Sequence, residues 1–408
     1  MNGKTPASNS TALVTANLNR KSSTGNRKLK ILSVLGTRPE AVKMAPIIKL
    51  LEQTASIESR VCNTAQHRQM IDQVLDLFKI KPEYDLDLMR EGQTMAQVSA
   101  GVFTNLDPIL GEFNPDWVLA VGDTTTVVTT SLLAFYRKIK FGHIEAGLRT
   151  HNKWHPFPEE INRRLATVTA DIHFAPTAWS QGNLLREGVE ADKIFVTGNP
   201  VIDALNYVAH QEEPKEITDL LNDLGISDHS TTGPATKRLI LVTAHRRENF
   251  GQGMENICQA LKELAQHGEV EVVYPVHLNP NVQEPVNRIL KNVDHVTLLP
   301  PQDYLPMVHL MKRATLILTD SGGIQDEAPT FGIPVLVMRE TTARPEGVEA
   351  GILKLVGTQT STIVHEAKRL LDDPAEYAKM AKAANPYGDG RAAERIILAL
   401  LNTNDGQN

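Results

Sequence analysis

Ala314-Thr-Leu-Ile-Leu318 runs into Thr319-Asp-Ser-Gly-Gly-Ile-Gln-Asp-Glu-Ala-Pro329, and how this passage is read decides the fold. An apolar run that turns through two glycines into a helix-compatible stretch reads as strand, tight turn and helix. Such a turn gathers several free backbone N–H groups at the positive end of a helix, which suits an anion such as phosphate. Glu327 lies about one helical turn further on, within reach of a sugar hydroxyl beside that anion. The plainer alternative is a tight turn with a glycine for packing, and this passage alone leaves both open.

The same alternation extends in both directions. Upstream and downstream, strand candidates lie at 238–243, 270–276, 295–299, 314–319, 334–338 and 353–356. An earlier set lies at 29–35, 60–64, 116–121, 141–144, 172–174 and 194–197, with helix candidates at 40–51, 69–77, 95–113, 124–137 and 158–170. Strands alternating with helices at this spacing predict α/β architecture, a parallel sheet covered on both faces. A polar stretch at 211–237 interrupts the rhythm and reads as a linker. Two Rossmann-like domains of similar size are therefore expected, at 28–210 and 238–384, with ligand at the carboxyl ends of strands and in a cleft between them. Residues 1–27, rich in Ser, Thr, Asn and basic side chains, read as a disordered extension without the apolar core of a signal peptide.

Bulk properties narrow the classes. A chain of 408 residues calls for two or three domains, and 41% hydrophobic with 22% charged residues is ordinary for a globular protein. A net charge of -6 gives no support for nucleic-acid or membrane-surface binding. The two cysteines, Cys62 and Cys258, are too few and too far apart for a disulfide framework or a metal cluster, so a reducing cytoplasm is expected. No apolar stretch is long enough to span a bilayer.

Polar groups collect where the strands stop. The first ends in Gly36-Thr-Arg-Pro-Glu40, with Lys43 a turn on. Two cations at a helix start run against the dipole, so an anion there relieves them, although Arg38 is also placed to pair with Glu40 or another carboxylate. Asp123 follows the strand that ends at Val121 and suits either chemistry or capping of the next helix. Glu145 follows an apolar strand directly; burial there raises a carboxyl pKa and suits a general acid or base. Glu159 and Glu160 open a helix after a loop rich in His, Trp and Pro. Each carboxylate alone reads as structural; three sites at neighbouring strand ends form a pattern. In the second half, His245-Arg-Arg247 at a strand end suits a phosphorylated sugar, and His277 is a weaker counterpart.

The motifs that are missing also constrain the chemistry. There is no Gly-x-Gly-x-x-Gly after the first strand, no Gly-x-x-x-x-Gly-Lys-Ser/Thr and no His-Glu-x-x-His. Neither a dinucleotide redox cofactor, a P-loop nor a metal is expected. Acid/base chemistry on a nucleotide sugar, without a cofactor, fits what is left.

The ordered set Gly36-Thr-Arg-Pro-Glu-Ala-Val-Lys43, Thr64-Ala-Gln-His-Arg68, Gly122-Asp-Thr-Thr-Thr126, Glu145-Ala-Gly-Leu-Arg149, Pro158-Glu-Glu160, His245-Arg-Arg-Glu248, Val276-His-Leu-Asn-Pro280, Asp320-Ser-Gly-Gly-Ile-Gln325 and Arg344-Pro-Glu346 resembles the bacterial non-hydrolysing UDP-N-acetylglucosamine 2-epimerases from about Leu29 to Arg391. The resemblance implies a GT-B fold, two Rossmann-like domains around a cleft, with a last helix in 385–408 packing back on the first. It implies reversible conversion of UDP-GlcNAc to UDP-ManNAc by anti elimination of UDP through 2-acetamidoglucal, in a homodimer serving polysaccharide biosynthesis. By similarity, Asp123, Glu145, Glu159 and His245 match acid/base positions, with the carboxylate that takes the C2 proton left open. Arg38, Lys43, Gln302, Met307, Ser321, Gly322, Gly323, Glu327 and Arg344 match contacts to UDP, Met307 standing where relatives can carry an aromatic near the uracil. Gln66, Gln69, Arg246 and His277 match parts of a second UDP-GlcNAc site that activates some relatives. A GT-B glycosyltransferase, a 2-epimerase for a modified sugar, a hydrolysing epimerase and a silent nucleotide-sugar sensor are the competing expectations.

Overall fold

Every connection between consecutive strands within a sheet contains a helix, so the strands return in the same direction and pair in parallel. The computed structural model describes residues 27–65, 68–90, 92–226 and 237–405. It divides the chain into two compact units, Met1–Ala204 with Gly388–Asn408, and Leu205–Tyr387.

The first unit carries β1 (Leu29–Leu35), β2 (Ile57–Asn63), β3 (Tyr84–Asp85), β4 (Trp117–Val121), β5 (Lys140–Ile144), β6 (Ile172–Ala175) and β7 (Ile194–Val196). They form one sheet in the order β3-β2-β1-β4-β5-β6-β7. The order reverses between β1 and β4, in register Ile31 with Trp117 and Ser33 with Leu119. Such a reversal leaves a crevice at the carboxyl ends of the two strands. Both faces are covered: all five residues of β4 are buried. A fully buried aliphatic side chain contributes roughly 1.5–3 kcal/mol, so runs such as Leu32, Val34, Val118 and Ala120 make the centre of the sheet hard to displace.

The second unit carries β8 (Arg238–Thr243), β9 (Val270–Pro275), β10 (Val296–Leu299), β11 (Leu316–Thr319), β12 (Val335–Val337) and β13 (Leu353–Leu355). Their order is β10-β9-β8-β11-β12-β13, with the reversal between β8 and β11. Ile240, Val242, Leu316 and Leu318 pack against Met254, Ile257 and Leu261 of helix Gln252–Leu264. Two Rossmann-like parallel-sheet units in one chain are a GT-B-like fold.

The structure departs from the sequence expectations in places. The supposed linker at 211–237 contains helix Lys215–Asp223, with Ile217 and Leu221 buried. Arg313 grips Glu213 just ahead of that helix through Nε and Nη2, both at 3.0 Å. Within the helix, Lys215, Glu216, Asp219, Asn222 and Asp223 form the exposed polar face. The Ser-Thr-Thr-Gly-Pro heart of that stretch and residues 1–26 lie outside the described residues. Strand β2 begins at Ile57 rather than 60, because Leu29 of β1 finds it as a register partner. The two-residue edge strand β3 was not anticipated. The final helix, Ala392–Asp405, lies in the first unit, where the Asp203 carboxylate accepts the N–H groups of Ala392 and Ala393 at 3.1 and 2.9 Å.

Candidate active site

In the first unit, the polar groups gather at the ends of β1, β4 and β5, beside the strand-order reversal. Helix Arg38–Gln53 starts there because the Glu40 carboxylate accepts the N–H groups of Gly36 and Thr37, at 2.7 and 2.8 Å. Burial pushes the Glu40 carboxyl up, against the hydrogen bonds from Thr124, Gly36 and Thr37 that pull it down. One turn along this helix, Lys43 reaches Glu145, its Nζ at 2.6 and 2.5 Å from the two carboxylate oxygens. The Asn199 amide donates to Glu145 Oε1 at 3.1 Å. Burial of Glu145 was expected from its place after an apolar strand; it is buried, and Lys43 is seated against its carboxylate.

The loop that presents Glu145 is held under strain. Glu145 has φ +60°, in the left-handed region that costs a non-glycine residue of order 1–3 kcal/mol. Gly147, at φ +92°, leaves no room for a Cβ, which would strike the Ser180 carbonyl. Arg149 anchors the end of the loop, its Nε and Nη2 meeting the Glu187 carboxylate at 2.8 and 2.7 Å. The Arg149 guanidinium holds the Glu187 carboxyl below its ordinary value.

Asp123 is not the helix cap. Thr124 caps helix Thr125–Tyr136 through the Val127 N–H. Asp123 instead meets Arg163, with Nη2 2.6 Å from Oδ2. The neighbouring glutamates divide sharply. Glu160 is fully buried, accepts the N–H groups of Thr150 and His151 at 3.0 Å each, and lies 3.4 Å from Arg163 Nη1. Glu159 Oε2 is buried with no hydrogen-bond partner among the described residues. Behind these groups, His143 donates from Nε2 to the Gly122 carbonyl at 2.8 Å. Burial pushes His143 down to about 4 and its register partner His173 down to about 3, so both are neutral near pH 7.

In the second unit, Asp320 organises the reversal between β8 and β11. Fully buried, it accepts the N–H of His245 at 3.1 and 2.9 Å, that of Arg246 at 2.8 Å, and the Asn249 amide at 3.0 Å. The His245 ring stacks on His277 with centroids 5.3 Å apart. Burial lowers the His245 pKa, aided by Arg246 and His277 and opposed by Asp320. Arg246 is lowered by burial and then by Arg339, with Arg344 adding to the effect. Its Nε has no hydrogen-bond partner among the described residues.

The glycine turn begins helix Gly322–Glu327, six residues that pass into a 3-10 turn at Ala328–Phe331. Ser321 N–H is taken by Thr319 Oγ1 at 2.9 Å. A Cβ on Gly322 would come within 2.8 Å of Arg344 Nη1. The turn is therefore a close packing point that brings the Arg344 guanidinium against Gly322. Arg344 is itself fixed by Asp326, at 2.5 and 2.8 Å. Glu327 is buried at the end of the short helix. Gln302 donates to the Pro300 carbonyl at 2.8 Å, and Met307 lies half-buried on helix Tyr304–Arg313. Gln66 and the side chain of Gln69 lie outside the described residues.

The family model described as UDP-N-acetylglucosamine 2-epimerase matches residues 49–401. A Yersinia pestis UDP-N-acetylglucosamine 2-epimerase is 56% identical over 375 residues, 92% of this chain and 99% of that protein. The chain belongs to the UDP-N-acetylglucosamine 2-epimerase family, and it is an isomerase by that membership. Among solved structures, the Neisseria meningitidis UDP-GlcNAc 2-epimerase bound to UDP-GlcNAc superposes with TM-score 0.83 and 49% identity, covering 92% of this chain and all of that one (100%). The Staphylococcus aureus MnaA–UDP structure gives TM-score 0.83 and 44% identity over 92% and 97% of the two chains.

Four polar partners escaped the sequence reading: Arg163, Asn199, Asp320 and Asp326. Arg163 carried a signal, since it sits four residues after Glu159 and so on the same helix face. Asp320 stood inside the decisive motif, but its partners are 71 to 75 residues away. Asn199 and its carboxylate are 54 residues apart.

Proposed function

We propose that the protein interconverts UDP-GlcNAc and UDP-ManNAc without hydrolysis. A carboxylate removes the C2 proton as the C1–O bond breaks and UDP leaves anti, giving 2-acetamidoglucal. UDP then adds back at C1 while C2 takes a proton on the opposite face. The observation that carries this reading is the contrast between adjacent glutamates: Glu160 is spent on backbone, and Glu159 keeps one buried oxygen unspent. A buried acceptor without a partner is costly and marks a group kept for a ligand or a proton. Asp123, Glu145 and Glu159 are the proposed proton-handling carboxylates, with His245 as a neutral partner. Arg38, Lys43, Gln302, Met307, the Ser321-Gly322-Gly323 turn, Glu327 and Arg344 are the proposed UDP contacts. The relatives crystallised with UDP-GlcNAc and with UDP support the choice of ligand.

Incubation with UDP-GlcNAc in D2O is expected to yield UDP-ManNAc with deuterium at C2. Absence of both epimer and label would refute the reading, and free ManNAc would point to the hydrolysing reaction. Arg246 and His277, with Gln66 and Gln69, are proposed to serve a second UDP-GlcNAc as activator. We place the protein in the cytoplasm; no helix among the described residues is long and apolar enough to cross a membrane.

A homodimer is part of the same proposal. Helix Glu159–Thr169 exposes Ile161, Leu165 and Val168, the last 84% exposed, spaced as one helical stripe. Val168→Glu is expected to shift the protein to monomer in sedimentation velocity; an unchanged dimer would exclude this face.

A further inference from the structure

The chain leaves the second unit at Tyr387 and re-enters the first at Gly388. Both residues are closely packed. Tyr387 is buried, and its hydroxyl occupies the space that Gly347 leaves by lacking a side chain. Gly347 belongs to helix Pro345–Glu349, which directly follows Arg344. On the other side of the peptide bond, Gly388 adopts φ +131°, and a Cβ there would lie 3.2 Å from Gly198 Cα and 3.5 Å from Asn199 N. The crossover thus rests on Gly198-Asn199 at the end of β7.

Asn199 in turn is 2% exposed and touches the candidate chemistry. Its Oδ1 accepts the Val201 N–H at 3.1 Å, and its Nδ2 donates to Glu145 Oε1 at 3.1 Å. The backbone bond fixes which end of the amide faces Glu145, since a flipped amide would point N–H at N–H. Lys43 Nζ spans both oxygens of Glu145 and the Asn199 amide takes Oε1 from another direction, so the amide helps to fix the rotation of the carboxylate. We infer that Asn199 is a positioning residue for Glu145, seated from behind by Gly388, so that the register of the crossover segment sets the orientation of that carboxylate. The inference rests on the acid/base reading of Glu145 given above.

Asn199→Asp tests it with little change of shape. The variant keeps an acceptor for the Val201 N–H but sets a carboxylate oxygen against Glu145. A like charge favours the protonated carboxyl, so one limb of the kcat–pH profile should move to higher pH by about one unit, with kcat down roughly 10- to 100-fold and KM nearly unchanged. Gly388→Ala should also lower kcat while leaving the affinity for UDP as it was. An unshifted pH profile in Asn199→Asp, or a raised KM with wild-type kcat, overturns the positioning role. Wild-type kcat in Gly388→Ala removes the seating role of the crossover. Glu145→Gln, run alongside, separates the layers. Wild-type turnover in it sinks the acid/base reading together with the inference, whereas an inactive Glu145→Gln beside an unshifted Asn199→Asp sinks the inference alone.

Discussion

The two units build the same feature, a parallel sheet whose strand order reverses between two central strands, and furnish it with different charged groups. In the first, the ends of β1, β4 and β5 present Glu40, Asp123 and Glu145, with Glu159 and Glu160 opening the helix that follows β5. In the second, the ends of β8 and β12 lead into Arg246, Arg339 and Arg344, and the buried carboxylates Asp320, Asp326 and Glu327 follow β11, Asp320 tying the ends of β8 and β11 together. Fold position alone says where a ligand goes. The charged groups at each reversal are what the proposed roles rest on, arginines for an anion and carboxylates for protons. Both reversals pair several of these groups, Lys43 with Glu145 and Arg163 with Asp123 in the first, Arg344 with Asp326 and Arg339 with Glu248 in the second, while Glu159 Oε2 and Arg246 Nε have no hydrogen-bond partner among the described residues.

The comparison within the first unit breaks most visibly at two adjacent residues. Glu159→Gln is expected to lower kcat by roughly 10²–10⁴-fold, the usual scale for a proton-transfer group, with little loss of stability because its buried oxygen has no hydrogen-bond partner to lose among the described residues. Glu160→Gln should do the reverse. Weakening its two backbone acceptor bonds and the Arg163 contact costs about 1–3 kcal/mol, read as a lower urea midpoint, with a far smaller effect on turnover. Equal effects of the two substitutions on kcat and on stability would erase the division between a spent and an unspent carboxylate.

How far the sequence could foretell this depends on the range over which each interaction acts. Strands 29–35 and 238–243 were legible to the residue, because an apolar run bounded by Gly36 or entered from a polar stretch is a local signal. Helix Lys215–Asp223 was missed although Ile217, Leu220, Leu221 and Leu224 stand at helical spacing, a local signal hidden within a stretch of polar composition. At the site, the strand-end motifs identified which residues matter but not whom they meet. Lys43 and Glu145 are 102 positions apart, and only the sheet order that sets β1 beside β4 and β4 beside β5 brings them together. The distinction between Glu159 and Glu160 was likewise hidden. Two consecutive residues on a helix point about 100° apart, and which one faces the loop at 150–151 is decided by the fold.

Acidification should separate the units by a smaller margin. His143 and His173 sit neutral within the sheet of the first unit, held down chiefly by burial, to about 4 and about 3. An unfolded histidine titrates near 6.5, so between pH 6.5 and 4 the unfolded chain binds protons that the folded chain refuses. The stability these groups support is therefore present above pH 6.5 and lost as the pH falls through that window. For His143 alone the loss approaches ~3 kcal/mol by pH 4. In the second unit, burial lowers His245 and His309 too, but Asp320 and Glu213 oppose it as the second-ranked influence. Around His143 the corresponding raising influences, the Gly122 carbonyl, Asp123 and Glu145, leave the imidazole far below its ordinary value, with Arg149 adding to the depression. Amide hydrogen exchange at pH 7 and pH 5 is expected to show β5 and β6 losing more protection than β8 and β11. His143→Asn, which retains a donor for the Gly122 carbonyl and does not titrate, should flatten the dependence. Equal loss in both sheets, or an unaltered slope in His143→Asn, would mean that acid sensitivity is not seated behind the carboxylates of the first unit.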